Sequence, residues 1–104
     1  MTKDTDTIRQ LEKKLERKLS QLDEIDFDQP QNGYVIDRQG NISGLSLYYT
    51  EITDISPLQG LTNLTDLHLS ANKITDLSPL QGLTDLTRLD LSLNRITAIS
   101  SPTA

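Results

Sequence analysis

The sequence has no cysteine, so neither disulfides nor thiolate metal sites can stabilise the fold. It also has few aromatic residues to fill a core. Its 104 residues are enough for one small domain, whose core must therefore be aliphatic. Basic residues are also scarce, because 10 Lys and Arg against 15 Asp and Glu leave a net charge of -5. A surface of that sign does not favour phosphates or anionic lipids, so we expect no nucleic acid or membrane partner.

The chain also lacks long apolar runs. Its first ten residues, MTKDTDTIRQ, carry charges where a signal peptide would need an apolar segment. No apolar stretch approaches the length that spans a bilayer. These absences predict a soluble, cytoplasmic protein.

An amphipathic helix is predicted from about Thr5 to Asp23, since its apolar residues recur at steps of three and four. These residues are Ile8, Leu11, Leu15, Leu19 and Leu22. Pro30 and the turn-prone pair Asn32-Gly33 then break the pattern. We therefore assign residues 1–30 to a helix and its linker. The rest of the chain consists of 22-residue repeats, and a helix of that length is longer than their stack. Its first half therefore either self-associates or folds back over the first repeat as a cap.

Residues 31–104 are assigned to a repeat domain, in which the sequence follows a period of 22 residues. Subtracting 22 superposes aliphatic columns: Ile42, Leu64 and Leu86; Leu45, Leu67 and Leu89; Leu47, Leu69 and Leu91; Ile52, Ile74 and Ile96; and Ile55, Leu77 and Ile99. Three repeats result, at about 39–60, 61–82 and 83–104. The last of them is incomplete, so its open end is a second candidate for self-association.

Each repeat contains a short alternating segment, such as Leu67 to Ser70, which predicts one strand of a parallel sheet. The asparagines that follow, Asn72 and Asn94, are expected to form a structural ladder, because a buried side-chain amide can bond the backbone groups that a turn leaves unpaired. Stacking then buries the leucines of one repeat on those of the next.

The repeat LxxLxLxxNxIxxLxPL, written here from Leu64 to Leu80, resembles the bacterial 22-residue class of leucine-rich repeats found in internalins. The resemblance implies an α/β fold. It would be a short solenoid with parallel strands on a concave face and turns or 3-10 segments on a convex face. Residues 34–47 resemble the hairpin that opens some such arrays, after an N-terminal amphipathic α-helix. Thr50 departs from the asparagine column, and Ser101-Pro102 departs from Pro-Leu.

The 22-residue register places Ser46, His68 and Asp90 side by side on adjacent strands. A catalytic triad would need an activated serine in a pocket that excludes water, with donors aimed at an oxyanion, whereas an open sheet offers neither. We therefore expect a solvated cross-strand pair between His68 and Asp90 and no enzymatic activity. The aspartate pairs Asp4/Asp6 and Asp26/Asp28 lack the rest of a calcium loop, so we expect no metal and no cofactor.

In the family that the repeat resembles, the concave face usually binds protein partners. The candidate contact residues on that face are Ser46, Tyr48, Tyr49, Asp66, His68, Ser70, Arg88, Asp90 and Ser92. Tyr48 and Tyr49 are the candidate anchors, because tyrosine supplies contact area at small entropic cost. Alternatively, they cover the junction between the hairpin and the first repeat.

The sequence therefore predicts a non-catalytic scaffold that binds a protein partner through its concave face. The alternative is that the chain is the N-terminal fragment or a regulatory region of a larger multidomain leucine-rich repeat signalling protein. Fold alone does not name the partner.

Overall fold

The computed structural model describes residues 3–26, 28–29 and 31–95. Its elements, in chain order, are helix α1 (Lys3–Leu15), strands β1 (Ser20–Gln21), β2 (Asn32–Ile36) and β3 (Ile42–Leu47), a 3-10 helix (Ser56–Gly60), strand β4 (Asp66–His68), a second 3-10 helix (Ser78–Leu80) and strand β5 (Arg88–Asp90). The predicted break at Pro30, the predicted inward positions of Ile96 and Ile99, and the departure at Ser101-Pro102 lie outside the described residues.

The five strands form one sheet in the order β1-β2-β3-β4-β5. Strands β3, β4 and β5 are parallel, and each residue lies opposite the one 22 positions later in the chain, as with Leu45 opposite Leu67 and Leu67 opposite Leu89. This is the register that the repeat predicts. It places the leucines of successive repeats side by side on the core face of the sheet.

Strand β2 pairs antiparallel with β3, and the two are joined by a tight turn. The Asp37 carboxylate accepts hydrogen bonds from the amides of Gln39 and Asn41, both at 2.9 Å. Gly40 has a φ of 83°, a backbone conformation that glycine adopts without steric cost. The turn therefore closes on its own local bonds.

Asn32 and Gly33 lie inside β2, so the prediction of a turn at this pair was wrong. The Asn32 side chain bonds both the amide and the carbonyl of Tyr48, at 3.0 and 3.2 Å, which holds it in the sheet. Gly33 meets the parallel strand β1, where a Cβ would lie 2.4 Å from the Ser20 carbonyl oxygen. The glycine therefore serves close strand contact rather than a turn.

Helix α1 ends at Leu15, eight residues before the predicted end at Asp23. Glu16 adopts a φ of 55°, and the Arg17 amide donates to the Glu12 carbonyl at 3.2 Å. This is the common helix C-terminus in which one residue takes the left-handed conformation. The Glu12 carboxylate also accepts from the Leu19 amide at 2.8 Å. Leu19 keeps the apolar spacing and is buried, but it enters the core from irregular chain.

The shorter helix packs on the first repeat. Ile8 and Leu11 are buried in the same core as the repeat leucines, and α1 contacts the first 3-10 helix. At its N-terminal end the Asp4 carboxylate accepts from the Ile42 amide at 2.8 Å. The helix therefore packs over the first repeat, as the cap alternative predicts for Ile8 and Leu11. Among the described residues, no helix is long and apolar enough to cross a membrane.

Burial of the leucines falls along the stack. Leu45 and Leu67 are fully buried, whereas Leu89 in the same column is 46% exposed. The same decline separates buried Leu58 from half-buried Leu80 in the 3-10 helices. Within residues 3–26, 28–29 and 31–95, the third repeat has a neighbouring repeat on one side only, so its leucines are less covered.

Two asparagines, the buried Asn72 and the half-buried Asn94, link the repeats through their side-chain amides. Asn72 Nδ2 donates to the carbonyls of Leu47 at 2.6 Å and Leu69 at 3.0 Å, while its Oδ1 accepts from the Thr50 amide and hydroxyl, both at 2.8 Å. Asn94 bonds the carbonyl of Leu69 at 2.8 Å in the same way. Thr50, in the asparagine column, completes the first rung with its hydroxyl. Each rung joins one repeat to the next.

We expect Asn72→Ala to lower the free energy of unfolding by about 3 kcal/mol, because it leaves at least two buried backbone groups unpaired at about 1–3 kcal/mol each. Urea denaturation followed by circular dichroism measures the change. Asn63→Ala, at an exposed asparagine of the same repeat, is the control and should stay within about 0.5 kcal/mol of the original protein. Equal losses in the two variants would refute a structural ladder.

Leu11→Ala tests the cap formed by α1. Leu11 is fully buried, so its truncation should cost about 2–5 kcal/mol, whereas Leu93→Ala, at a leucine that is 76% exposed, should change stability little. Thermal unfolding of the two variants gives the comparison. If the two variants had the same melting temperature, the helix would not be part of the cooperative core.

Candidate functional site

The side of β3, β4 and β5 that faces away from the leucine core is the candidate site, and we refer to it as the strand face. Ser46, His68 and Asp90 lie next to one another across it, as the 22-residue register predicts. A second column places Asp66 between Gly44 and Arg88. The strands therefore bring polar side chains of all three repeats onto one surface.

His68 is the centre of a buried polar network. Its Nδ1 lies 3.3 Å from Ser46 Oγ, and its Nε2 lies 2.6 Å from Ser70 Oγ. The Ser46 hydroxyl donates to the Gln31 carbonyl at 2.9 Å, so its single hydrogen is already used. Nδ1 therefore carries a proton and donates to Ser46, and in the neutral ring Nε2 accepts from Ser70. This tautomer is assigned from the hydrogen-bond partners of the ring.

The expectation that His68 and Asp90 form a solvent-exposed pair was wrong, because His68 is buried. His68 is only 3% exposed, and Asp90 Oδ2 lies 3.7 Å from its Nε2, farther than Ser70. Sequence reasoning placed Ser70 on this face but missed it as the nearer partner. The signal was available, because residues two apart in a strand point to the same side.

Asp90 is held chiefly by the turn that follows β5. The Ser92 amide and hydroxyl donate to Asp90 Oδ1 at 2.9 and 2.7 Å. These bonds lower the pKa of Asp90, first through the backbone amide and then through the hydroxyl, and nearby His68 lowers it by a smaller amount. Asp90 therefore stays ionised and anchors the turn.

The row Ser46, His68 and Asp90 does not have the geometry of a catalytic triad. A nucleophilic serine donates its hydroxyl hydrogen to the histidine, whereas Ser46 donates to a backbone carbonyl. Ser46 is also fully buried, so no substrate reaches it. The hydrogen bonds of Ser46 and His68 instead hold the Gln31 carbonyl and the Ser70 side chain beneath the surface.

The segment between β1 and β2 covers part of the strand face, and sequence reasoning missed this contact. Ile25 is buried, and a Cβ at Gly44 would lie 2.8 Å from its Cγ1. Gln31 supplies the carbonyl that holds Ser46. Glycine at position 44, where the next repeats have Asp66 and Arg88, was the one signal of close approach.

The nine predicted contact residues therefore differ in access. Tyr49, Arg88 and Ser92 are exposed, Tyr48, Asp66 and Asp90 are half-buried, and Ser46, His68 and Ser70 are buried. The rings of Tyr48 and Tyr49 lie 6.4 Å apart, and the Tyr48 ring lies 6.2 Å from that of His68. Tyr48 thus connects the buried network to the surface.

At the ends of the strands, Tyr49, Ala71 and Leu93 form a second row, which we call the turn column. Their φ angles are 56°, 60° and 59°, and two of the side chains are strongly exposed, at 70% for Tyr49 and 76% for Leu93. Beside the row, Lys73 forms an ion pair with Glu51 at 3.2 Å. An apolar strip with a charged border therefore adjoins the strand face.

Several carboxylates in the described part of the chain accept hydrogen bonds that hold local structure. Within residues 3–26, 28–29 and 31–95, no three His, Asp or Glu side chains come together as a metal site. Asp4 bonds the Ile42 amide, and Asp26 accepts from the Asp28 amide at 2.9 Å. Asp54 and Asp76 accept from the serine two positions later, at the start of each 3-10 helix.

We expect Asp76→Asn to destabilise the protein at neutral pH and to have a shrinking effect in acid. Hydrogen bonds from the Ser78 hydroxyl and amide lower the pKa of Asp76 in the folded state. Its contribution is therefore complete above the ordinary aspartate pKa of about 3.9 and is lost as the pH falls through the lowered folded value. Urea unfolding of both proteins between neutral pH and strong acid measures the difference. A difference independent of pH would contradict this role.

The sequence profile described as Leucine Rich repeats (2 copies) matches residues 41–82 and 63–103. The matched residues contain β3, β4 and β5 with both 3-10 helices. No curated protein matches the chain. Modules of this kind commonly mediate protein–protein interaction and are typically non-catalytic. The chain belongs to the leucine-rich repeat family.

Proposed function

We propose that this protein is a non-catalytic scaffold that binds a protein partner through the strand face, the concave face of an internalin-like repeat array. The observation that carries the proposal is Tyr49, a large aromatic side chain that is 70% exposed beside Tyr48, in the turn column at the edge of the strand face. Aromatic residues of this kind supply much of the binding energy in protein interfaces. The two tyrosines are the proposed anchors.

The polar residues around the anchors would set specificity. Arg88 and Ser92 are exposed, and Asp66 and Asp90 are half-buried, so both signs of charge are presented near the tyrosines. Complementary charge acts mainly on specificity and on the association rate.

Ser46, His68 and Ser70 would act from beneath this surface. They are buried and hydrogen-bonded through His68, whose ring lies 6.2 Å from the Tyr48 ring. In this proposal they hold Tyr48 in place, and a partner meets them only through the residues above. Residues 1–30 would cover the first repeat, and residues 31–104 would provide the binding surface.

Site-specific cross-linking tests the proposal. A photoreactive phenylalanine at position 49 should give a discrete protein adduct in extracts of the source cell, and the same group at exposed position 59 should not. Tyr49→Ser should weaken binding of the cross-linked partner several-fold. Loss of an anchor in an interface commonly costs 1 kcal/mol or more of binding free energy, roughly fivefold or more in affinity.

Gln59→Ser is the matched control, because it changes an exposed side chain of the first 3-10 helix. Circular dichroism should show that both variants are folded. A partner that cross-links equally from both positions, or that binds Tyr49→Ser unchanged, would count against the strand face.

A further inference from the structure

Basic residues are concentrated in the first part of the chain. Six of the ten lie in residues 3–18 beside four acidic residues, whereas residues 19–104 carry four basic and eleven acidic residues. The two parts therefore have net charges of +2 and -7. An acidic molecule thus presents one positively charged region, which comprises α1 and the residues that follow it.

The early end of α1 gathers this charge into one groove. Helix spacing places Arg9 and Lys13 on the same side of α1. The left-handed Glu16 then turns the chain, and the Arg17 amide bonds the Glu12 carbonyl. The two cations that follow Glu16 therefore lie beside the last turn of the helix. The groove has a volume of about 520 Å³ and is lined by Arg9, Glu12, Lys13, Glu16, Arg17 and Lys18. We refer to it as the basic groove.

The positive charge of the basic groove is not neutralised by the rest of the described chain. Its four cations are exposed, and within residues 3–26, 28–29 and 31–95 none of them forms an ion pair. The half-buried Glu12 carboxylate accepts instead from the Leu19 amide at 2.8 Å. The partial charge at a helix C-terminus is only about half an elementary charge, so it does not offset the net charge of +2 on the groove.

We propose that the basic groove binds an acidic segment of a partner protein. Carboxylate side chains complement its four cations. The two carboxylates of the groove favour a polypeptide over phosphates, because a peptide also brings N–H donors that Glu12 and Glu16 can accept from, whereas phosphates bring acceptors only. Among the six described residues that line the groove there is neither an aromatic ring to stack on a base nor an apolar side chain to enter a bilayer.

The size of the basic groove limits how tightly it binds. Exposed ion pairs contribute little each, so four of them support a dissociation constant of about a millimolar at low salt. Such a contact acts mainly on the association rate and on the choice of partner. The proposal goes beyond the strand face and does not rest on it, because the basic groove shares no residue with the strand face or the turn column.

Titration of the ¹⁵N-labelled protein with a ten-residue peptide of alternating glutamate and serine tests the proposal. At low salt we expect saturable NMR chemical-shift changes concentrated at residues 9–18. They should disappear in 1 M NaCl, where the screening length falls to about 3 Å. The same peptide with glutamine in place of glutamate should give no saturable change.

Variants locate the binding site. Arg17→Glu should weaken peptide binding about threefold or more, because it replaces an attractive contact with a repulsive one. Arg38→Glu, at an exposed arginine of the β2–β3 turn, makes the same charge change and should leave binding unaltered. Glu16→Gln should strengthen binding, since it removes a carboxylate from the groove. Thermal unfolding shows whether each variant is folded.

The outcomes that overturn the proposal are distinct. Oligothymidylate or phosphatidylserine vesicles that bind the groove more tightly than the acidic peptide would overturn its assignment to a protein segment. Shift changes spread over the whole surface, or equal weakening by Arg17→Glu and Arg38→Glu, would overturn the groove as the site. Tyr49→Ser should leave peptide binding unchanged, so failure here is separable from failure of the strand face.

Discussion

The structure depends on parallel pairing between repeats in a register of 22 residues. One repeat places its leucines on one side of a short strand and cannot enclose them, so each layer is completed by the next. The register aligns Leu45 with Leu67 and Leu67 with Leu89, and it also brings Asn72 within reach of the backbone of the previous repeat. Apolar burial and amide hydrogen bonding therefore reinforce the same alignment, which makes a slipped register costly in two ways.

The same alignment organises the surface. A parallel sheet with equal steps turns a sequence column into a row of neighbouring side chains, so a change every 22 residues acts on one local patch. The strand face combines such rows with material from outside the repeats, because Ile25 and Gln31 reach it from the segment between β1 and β2. That segment bonds the buried Ser46 through the Gln31 carbonyl, and His68 is buried beside Ser46 and Ser70. The buried network is thus distinct from the residues of the face that remain accessible.

Sequence reasoning succeeded where a pattern repeats and failed where a contact is made once. The register and the inward leucines follow from the period, since residues of one column must meet. The end of α1 did not follow, because Leu19 continues the helical spacing and Glu16 is neither glycine nor proline. His68 was expected in solvent because strand alternation points it away from the core, but Ser46, Ser70 and the Tyr48 ring lie around it and it is buried. The predicted contact residues on the strand face stay a prediction.

The three φ angles of the turn column, at Tyr49, Ala71 and Leu93, lie within four degrees of one another. The side chains there are a phenol, a methyl group and a branched aliphatic chain, so the backbone path at this position does not depend on what it carries. Left-handed conformation is uncommon for such residues, and the repeat imposes it all the same. At this edge the repeat therefore determines the position of each side chain, and the residue type at that position can vary without changing the backbone.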